Sequence, residues 1–192
     1  MLKRSPRLID LLKGMVRFLR RIWYCMVKNT GKNFENEIRR SLKKGGQFWF
    51  RIQDTNDVSR FVKQAVAEKQ PGDFMAVYRG RPVLIECKTT RNLTAFPLHY
   101  GTARSVQAHQ IKAGKIMERH GGLAFILIRR DEPRNKTVYA ATPSQVEHMY
   151  RHFGKSRKSV PWKWLDENCT MVDKLSKPIR WNLIKLYEEY IG

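Results

Sequence analysis

Asp73, Glu86 and Lys88, in "PGDFMAVYRGRPVLIECKTT" (71–90), are residue types that could carry out hydrolysis together. A pleated strand sends alternate side chains to opposite faces. In "VLIECK", Leu84, Glu86 and Lys88 therefore share one face, and Val83, Ile85 and Cys87 share the other. Burying the apolar set leaves a carboxylate beside an ammonium at the strand's end. Read as a surface ion pair, they are worth about 0–1 kcal/mol. Read as a site, they join Asp73 on the preceding, antiparallel strand. Two carboxylates brought together repel, and one is forced neutral unless a cation compensates. Mg²⁺ suits such hard oxygen ligands, with Mn²⁺ a substitute, and the main-chain carbonyl of Cys87 could add a further oxygen. Lys88 would face a water, position it and help its deprotonation. That assembly suits phosphodiester hydrolysis.

The elements that must hold these groups can be read along the chain. "NTGK" (29–32) opens a helix over roughly 31–44, ended by Gly45 and Gly46, and "QFWFRI" reads as a strand. A short helix or arm is expected over 57–69, in "DVSRFVKQAVAEK". The hairpin that carries the acids turns near "RGRP", where Gly80 allows a tight bend. A helix follows over about 103–119. "LAFILI" reads as a fully buried strand and "KTVYAA" as another. In "TPSQVEHMYRHFG", Thr142 is the N-cap, Pro143 the first helical residue and Gly154 lies past the end. The basic stretch from 155 closes on a helix-like "IRWNLIKLYEEYI".

Charge narrows the partner. Lys and Arg outnumber Asp and Glu by 38 to 17, a net charge of +21, which points to a polyanion. Residues 1–30 read as a basic amphipathic helix. Leu8, Leu12, Met15, Leu19, Ile22 and Met26 form its apolar stripe, and Arg17, Arg20, Arg21 and Lys28 are candidate DNA contacts. Lys32, Arg104 and Lys112 are further candidates. Cys25, Cys87 and Cys169 are odd in number and far apart, so neither a disulfide framework nor a zinc cluster is expected. No apolar run approaches the ~20 residues of a membrane span.

P-G-D followed by E-C-K resembles the PD-(D/E)-x-K motif of restriction-endonuclease-like nucleases. The segments "GKNFENEI", "LIECKTT", "FPLH", "AHQIKAGKIMERHGGLAFILI" and "SVPWKWL" follow the order seen in RecU-type Holliday-junction resolvases, over roughly 31–170. The resemblance implies an α/β (α+β) fold with a restriction-endonuclease-like core, a central mixed sheet flanked by helices. It implies a nuclease domain at 31–170, between the basic helix at 1–30 and a C-terminal helical tail at 171–192. It further implies a Mg²⁺-dependent endodeoxyribonuclease acting on branched double-stranded DNA in a bacterial or phage setting, in the cytoplasm. A homodimer would supply two active sites for paired cuts.

The family also carries a glutamate on its first helix, and "NFENEI" offers two. On a helix turning about 100° per residue, Glu35 lies nearer than Glu37 to the centre of the Phe34, Ile38, Leu42 stripe. Glu35 is the expected site-facing acid, acting through water, and Glu37 a solvated partner for a neighbouring Arg. The family's helix glutamine matches Gln110, which could orient water or phosphate. Two departures stand out: the family's long arm is reduced to "QDTNDVSRFVKQAVAEK", and the N-terminal helix lies outside the shared core. A flap, branch or restriction-type nuclease, or a non-catalytic basic DNA-binding protein, are the alternatives at this stage.

Overall fold

The computed structural model describes residues 30–52, 70–98, 106–132, 135–155, 157–175 and 177–191. Residues 1–29, 53–69 and 99–105, and with them the basic N-terminal helix, the expected 57–69 arm, Cys25 and Arg104, lie outside the described residues.

The first element, α1 (Thr30–Lys44), buries Phe34, Ile38 and Leu42 along one stripe. Strand β1 (Phe48–Arg51) follows, then β2 (Phe74–Tyr78) and β3 (Arg81–Thr90), an antiparallel hairpin in which Tyr78 faces Arg81. The two residues between them, Arg79 (φ 48°) and Gly80 (φ 76°), both take positive φ. That is the type I′ turn whose twist matches a two-residue hairpin. Next come β4 (Ala95–Pro97), α2 (Ala108–Arg119), β5 (Leu123–Asp131) and β6 (Lys136–Ala141). Strands β3 and β5 pair in parallel, with Glu86 opposite Ile126, and α2 lies on the crossover between them.

Helix α3 (Pro143–Phe153) begins as its sequence requires. The Thr142 hydroxyl accepts the Gln145 N–H at 3.2 Å, and the Gln145 side chain accepts the Thr142 N–H at 2.7 Å. The chain closes with β7 (Ser159–Pro161), α4 (Trp162–Asn168), β8 (Thr170–Met171), β9 (Lys174–Leu175), β10 (Arg180–Trp181) and α5 (Leu183–Ile191). The main sheet has six strands in the order β1-β2-β3-β5-β6-β8, and β3–β5 is its parallel pair among antiparallel ones. It is the central mixed sheet flanked by helices that the sequence led us to expect.

Alternation along β5 feeds two cores. Leu123, Phe125 and Leu127 pack with α1 and α5, while Ile126 and Ile128 pack with Val146, Met149 and Leu165 of α3 and α4. Trp181, Leu183, Leu186 and Tyr187 belong to the first of these cores, so residues from the expected tail pack directly on α1 and the sheet. The helix expected from 103 begins at Ala108, because Gln107 is extended (φ −79°, ψ 149°) and serves as its N-cap. Among the described residues no helix is long and apolar enough to cross a membrane.

Candidate active site

The site forms where β2 starts and β3 runs on past it. Pro71 and Gly72 bring the chain against β3 so closely that a Cβ on Gly72 would stand 3.0 Å from the Ile85 carbonyl oxygen and 3.0 Å from Leu84 Cδ1. The Asp73 N–H donates to the Ile85 carbonyl at 2.8 Å, and Phe74 pairs with Ile85, which sets Asp73 alongside Glu86. Asp73 Oδ2 then accepts the Cys87 N–H at 2.7 Å, so the carboxylate is locked to the strand it faces. Gly72→Ala is expected to overpack this approach and cost about 1–3 kcal/mol. Urea unfolding would read that loss beside Gly31→Ala, whose added Cβ meets nothing within 4 Å.

Glu86 and Lys88 share a face of β3, as alternation requires, and pair at 2.7 Å. The pair is not the solvated one that its bland reading supposes: both side chains are nearly buried, at 6% and 11% exposure. Burial, and then repulsion from Asp73, pushes the Glu86 carboxyl up to about 7, against the pull of Lys88 and a hydrogen bond from Gln110. Its Oε2 is buried without a well-aligned hydrogen-bond partner. Asp73 is also raised, chiefly by burial, with the Cys87 N–H and Lys88 opposing.

Helices approach from either side of the sheet. From α2, Gln110 uses its Oε1 to accept the Gln107 N–H at 2.8 Å, which leaves its amide nitrogen for Glu86. From α1, Glu35 is raised by burial and then by the charge of Asp73, while Arg51 of β1 holds it at 2.6 Å. Lys32 and Lys88 also act on Glu35. The geometry therefore gathers Glu35, Asp73, Glu86, Lys88 and Gln110 in one place. Cys87 contributes its backbone there, and burial raises its thiol well above the ordinary range.

Glu37 corrects the helical-wheel expectation. It is 4% exposed and inward-facing, with Oε1 3.0 Å from the Arg129 guanidinium and Oε2 accepting the Trp181 indole N–H at 3.2 Å. The buried arc of α1 is wider than its apolar stripe, because Glu37 and Ser41 are paired in the interior. A wheel that scores only apolar residues misplaces the centre of such a face.

The donor set fits a hard cation. Two mutually repelling carboxylates and one unsatisfied buried carboxylate oxygen leave a deficit of positive charge that a single lysine does not fill. Among the described residues no group of three or more His, Cys, Asp and Glu side chains is placed to hold an ion. An ion here would rest on two carboxylates, main-chain oxygen and water, as Mg²⁺ tolerates.

The family model RecU, described as Recombination protein U, matches residues 27–189. The chain belongs to the RecU family. A "Holliday junction resolvase RecU" of Geobacillus kaustophilus is 33% identical over 89 residues, 46% of this chain and 42% of that one. The protein of the same name from Geobacillus thermodenitrificans is 30% identical over 95 residues, 50% of this chain and 44% of that one. The chain thus spans less than half the length of these curated relatives. The Holliday junction resolvase Hjc of Archaeoglobus fulgidus has a TM-score of 0.39 and 17% identity, covering 59% of this chain and 78% of that one.

Seen as a RecU family chain, its basic residues divide by position. Lys32 is exposed on the first turn of α1, close enough to influence Glu35. Lys112 is exposed on the α2 side of a separate groove of about 1290 Å³ between α2 and α3, shared with Lys115, Arg151 and Lys155. None of the five gathered residues lines that groove. Arg17, Arg20, Arg21, Lys28 and Arg104 fall outside the described residues. H-x-x-x-H is present at 148–152, contrary to the expectation from the sequence that no two histidines have a ligand-pair spacing. His148 and His152 stack one turn apart on α3, and His148 stacks on Trp164, with ring centroids 5.7 Å apart in each case. The spacing alone was enough to find that pair. Among the described residues no carboxylate or thiol joins it as a third ligand.

Proposed function

We propose that this chain is a metal-dependent endonuclease that resolves four-way DNA junctions by paired phosphodiester hydrolysis. The observation that carries the reading is the Asp73, Glu86, Lys88 constellation at the start of β2 and the end of β3, in a chain of the RecU family. A purely DNA-binding protein has no use for two acids forced together where phosphate must approach.

Asp73 and Glu86 would hold Mg²⁺, or Mn²⁺ in its place, with the Cys87 carbonyl as a further oxygen. When bound, the ion supplies polarisation of the phosphate and a lower pKa for the attacking water. Lys88, fixed by Glu86, orients that water through its Nζ and holds positive charge beside the phosphate. Gln110 directs its amide at the same carboxylate and keeps it aligned. Glu35, tethered to Arg51, acts through water instead of touching the phosphate. Lys32 and the Lys112 groove, with the basic residues of 1–30, would grip the DNA backbone, and affinity should therefore fall steeply with salt.

Paired cuts require two sites, so the active species would be a homodimer burying more than ~1,000 Å². The test is cleavage of a four-way junction in Mg²⁺ beside matched duplex, single-strand and flap substrates, with light scattering on the same protein. Symmetric nicks in the junction by a particle of about twice 22.7 kDa are expected. Equal cutting of flap and junction would favour a general branch nuclease. No cutting of any substrate would leave a basic DNA-binding protein.

A further inference from the structure

We propose that Arg129 is a positioning residue for Glu35, acting through Glu37, and that the pair sets the placement of α1 over the catalytic strands. This rests on the nuclease reading above. Among the described residues Arg129 is the one buried lysine or arginine, 1% exposed, and it lies outside the cluster of Asp73, Glu86 and Lys88. Its guanidinium binds both partners that must keep register. On α1 it meets Glu37 at 3.0 Å, donates to the Thr30 carbonyl at 3.0 Å and sits 4.8 Å above the centre of the Phe34 ring. On the strand side, Nε donates to Thr89 Oγ1 at 3.3 Å, the residue next to Lys88, and Nη2 lies 3.5 Å from Asp131.

The argument for positioning is one of directionality. Phe34, Ile38 and Leu42 bury α1, but apolar contact is non-directional and tolerates small slides. Glu37 does not tolerate them. Its two oxygens are tied to β5 through Arg129, to β6 through Lys136 at 3.4 Å, and to β10 through the Trp181 indole. Glu35 stands two residues away, on the opposite flank of the same turn, where its carboxylate meets the field of Asp73. Any slide of α1 against β5 therefore moves Glu35 relative to Asp73. A buried charged pair is weak evidence for stability, since apolar residues of similar volume often replace it at no loss. What it does supply here is placement.

The test is a cycle combining Glu35→Gln with either Arg129→Lys or the double replacement Arg129→Met, Glu37→Leu. The double variant removes both charges together and so guards against misfolding. Each variant would be measured for junction Kd, single-turnover rate at saturating protein, and amide hydrogen exchange over residues 31–38. Misplacement by about 1 Å can cost ~10²-fold in rate. We expect rates lowered by about 10- to 100-fold, Kd within about twofold, and faster exchange in the first turns of α1. Glu35→Gln should then cost roughly twofold or less in either background, because both changes act through one carboxylate. A folded double variant that cuts at the wild-type rate overturns the inference. So does a rate loss that multiplies fully with that of Glu35→Gln. If the wild type itself cuts nothing, the nuclease reading fails, and wild-type exchange protection over 31–38 in the double variant would overturn the positioning role on its own.

Discussion

Asp73→Asn, Glu86→Gln and Lys88→Ala are each expected to lower junction cutting by about 10²–10⁴-fold while DNA affinity stays within a few-fold. The separation follows from where the groups sit. Affinity would come from lysines and arginines meeting phosphates, and the described candidates, Lys32 and Lys112, do not belong to the Asp73–Glu86 pair. Lys88→Ala is the most telling of the three. Lys88 is the cation paired with Glu86 at 2.7 Å, and without it the buried carboxyl is driven further toward its neutral form. Glu35→Gln should cost less, because Glu35 is already tied to Arg51 and acts through water. Cleavage and gel-shift affinity measured side by side give the answer. Robust Mg²⁺-dependent cutting by Asp73→Asn would remove the site assignment.

Stability should fall as pH rises through neutrality in metal-free protein, and Mg²⁺ should reverse the fall. Glu86 titrates near 4.5 when unperturbed and at about 7 in the fold. A carboxyl raised in this way favours the fold fully below about 4.5, and that contribution is lost as pH climbs through about 7. The difference is at most about 3 kcal/mol. For a chain of this size that is roughly 6–12 °C in Tm, and the upward shift of Asp73 acts in the same direction. Divalent ions prefer the ionised pair, so Mg²⁺ should raise Tm at pH 8 and do little at pH 5. The net charge of +21 adds its own pH dependence, and comparison with Glu86→Gln subtracts it. A Glu86→Gln curve parallel to the wild type across pH 4.5–8 would sink the claim.

How much of this was legible beforehand depends on how local the signal is. Alternation alone put Glu86 and Lys88 on one face of β3, and the Thr142-Pro143 cap and the "LAFILI" strand read directly from short stretches. These are decided by neighbours within a few residues. Glu37 was misread because its partners, Arg129 and Trp181, lie far along the chain. No helical wheel contains them. The burial of the Glu86–Lys88 pair escaped for the same reason, since it depends on α2 covering that face of the sheet. Between 155 and the closing helix the residues read only as basic, yet β7 pairs there with β4 and Trp162 joins the second core. Its elements are too short for periodicity to show.

The two-residue turn at Arg79-Gly80 makes hairpin length a determinant of how the candidate site is assembled. Because Tyr78 is matched with Arg81 at the turn, Phe74 is matched with Ile85 at the far end, and Asp73 arrives beside Glu86. Strand β3 is also fixed on its other side by eight residue pairs with β5, whereas β2 is backed only by four with the edge strand β1, so any adjustment falls on β2. A residue added at the turn, if not absorbed as a bulge, would slide β2 by one position. Every side chain of β2 would then swap faces. Phe74 and Ala76 would leave the core, and Asp73 would lose the Cys87 N–H that locks it. An insertion at the opposite end of the hairpin from the acids would thereby disarm them without altering one of them.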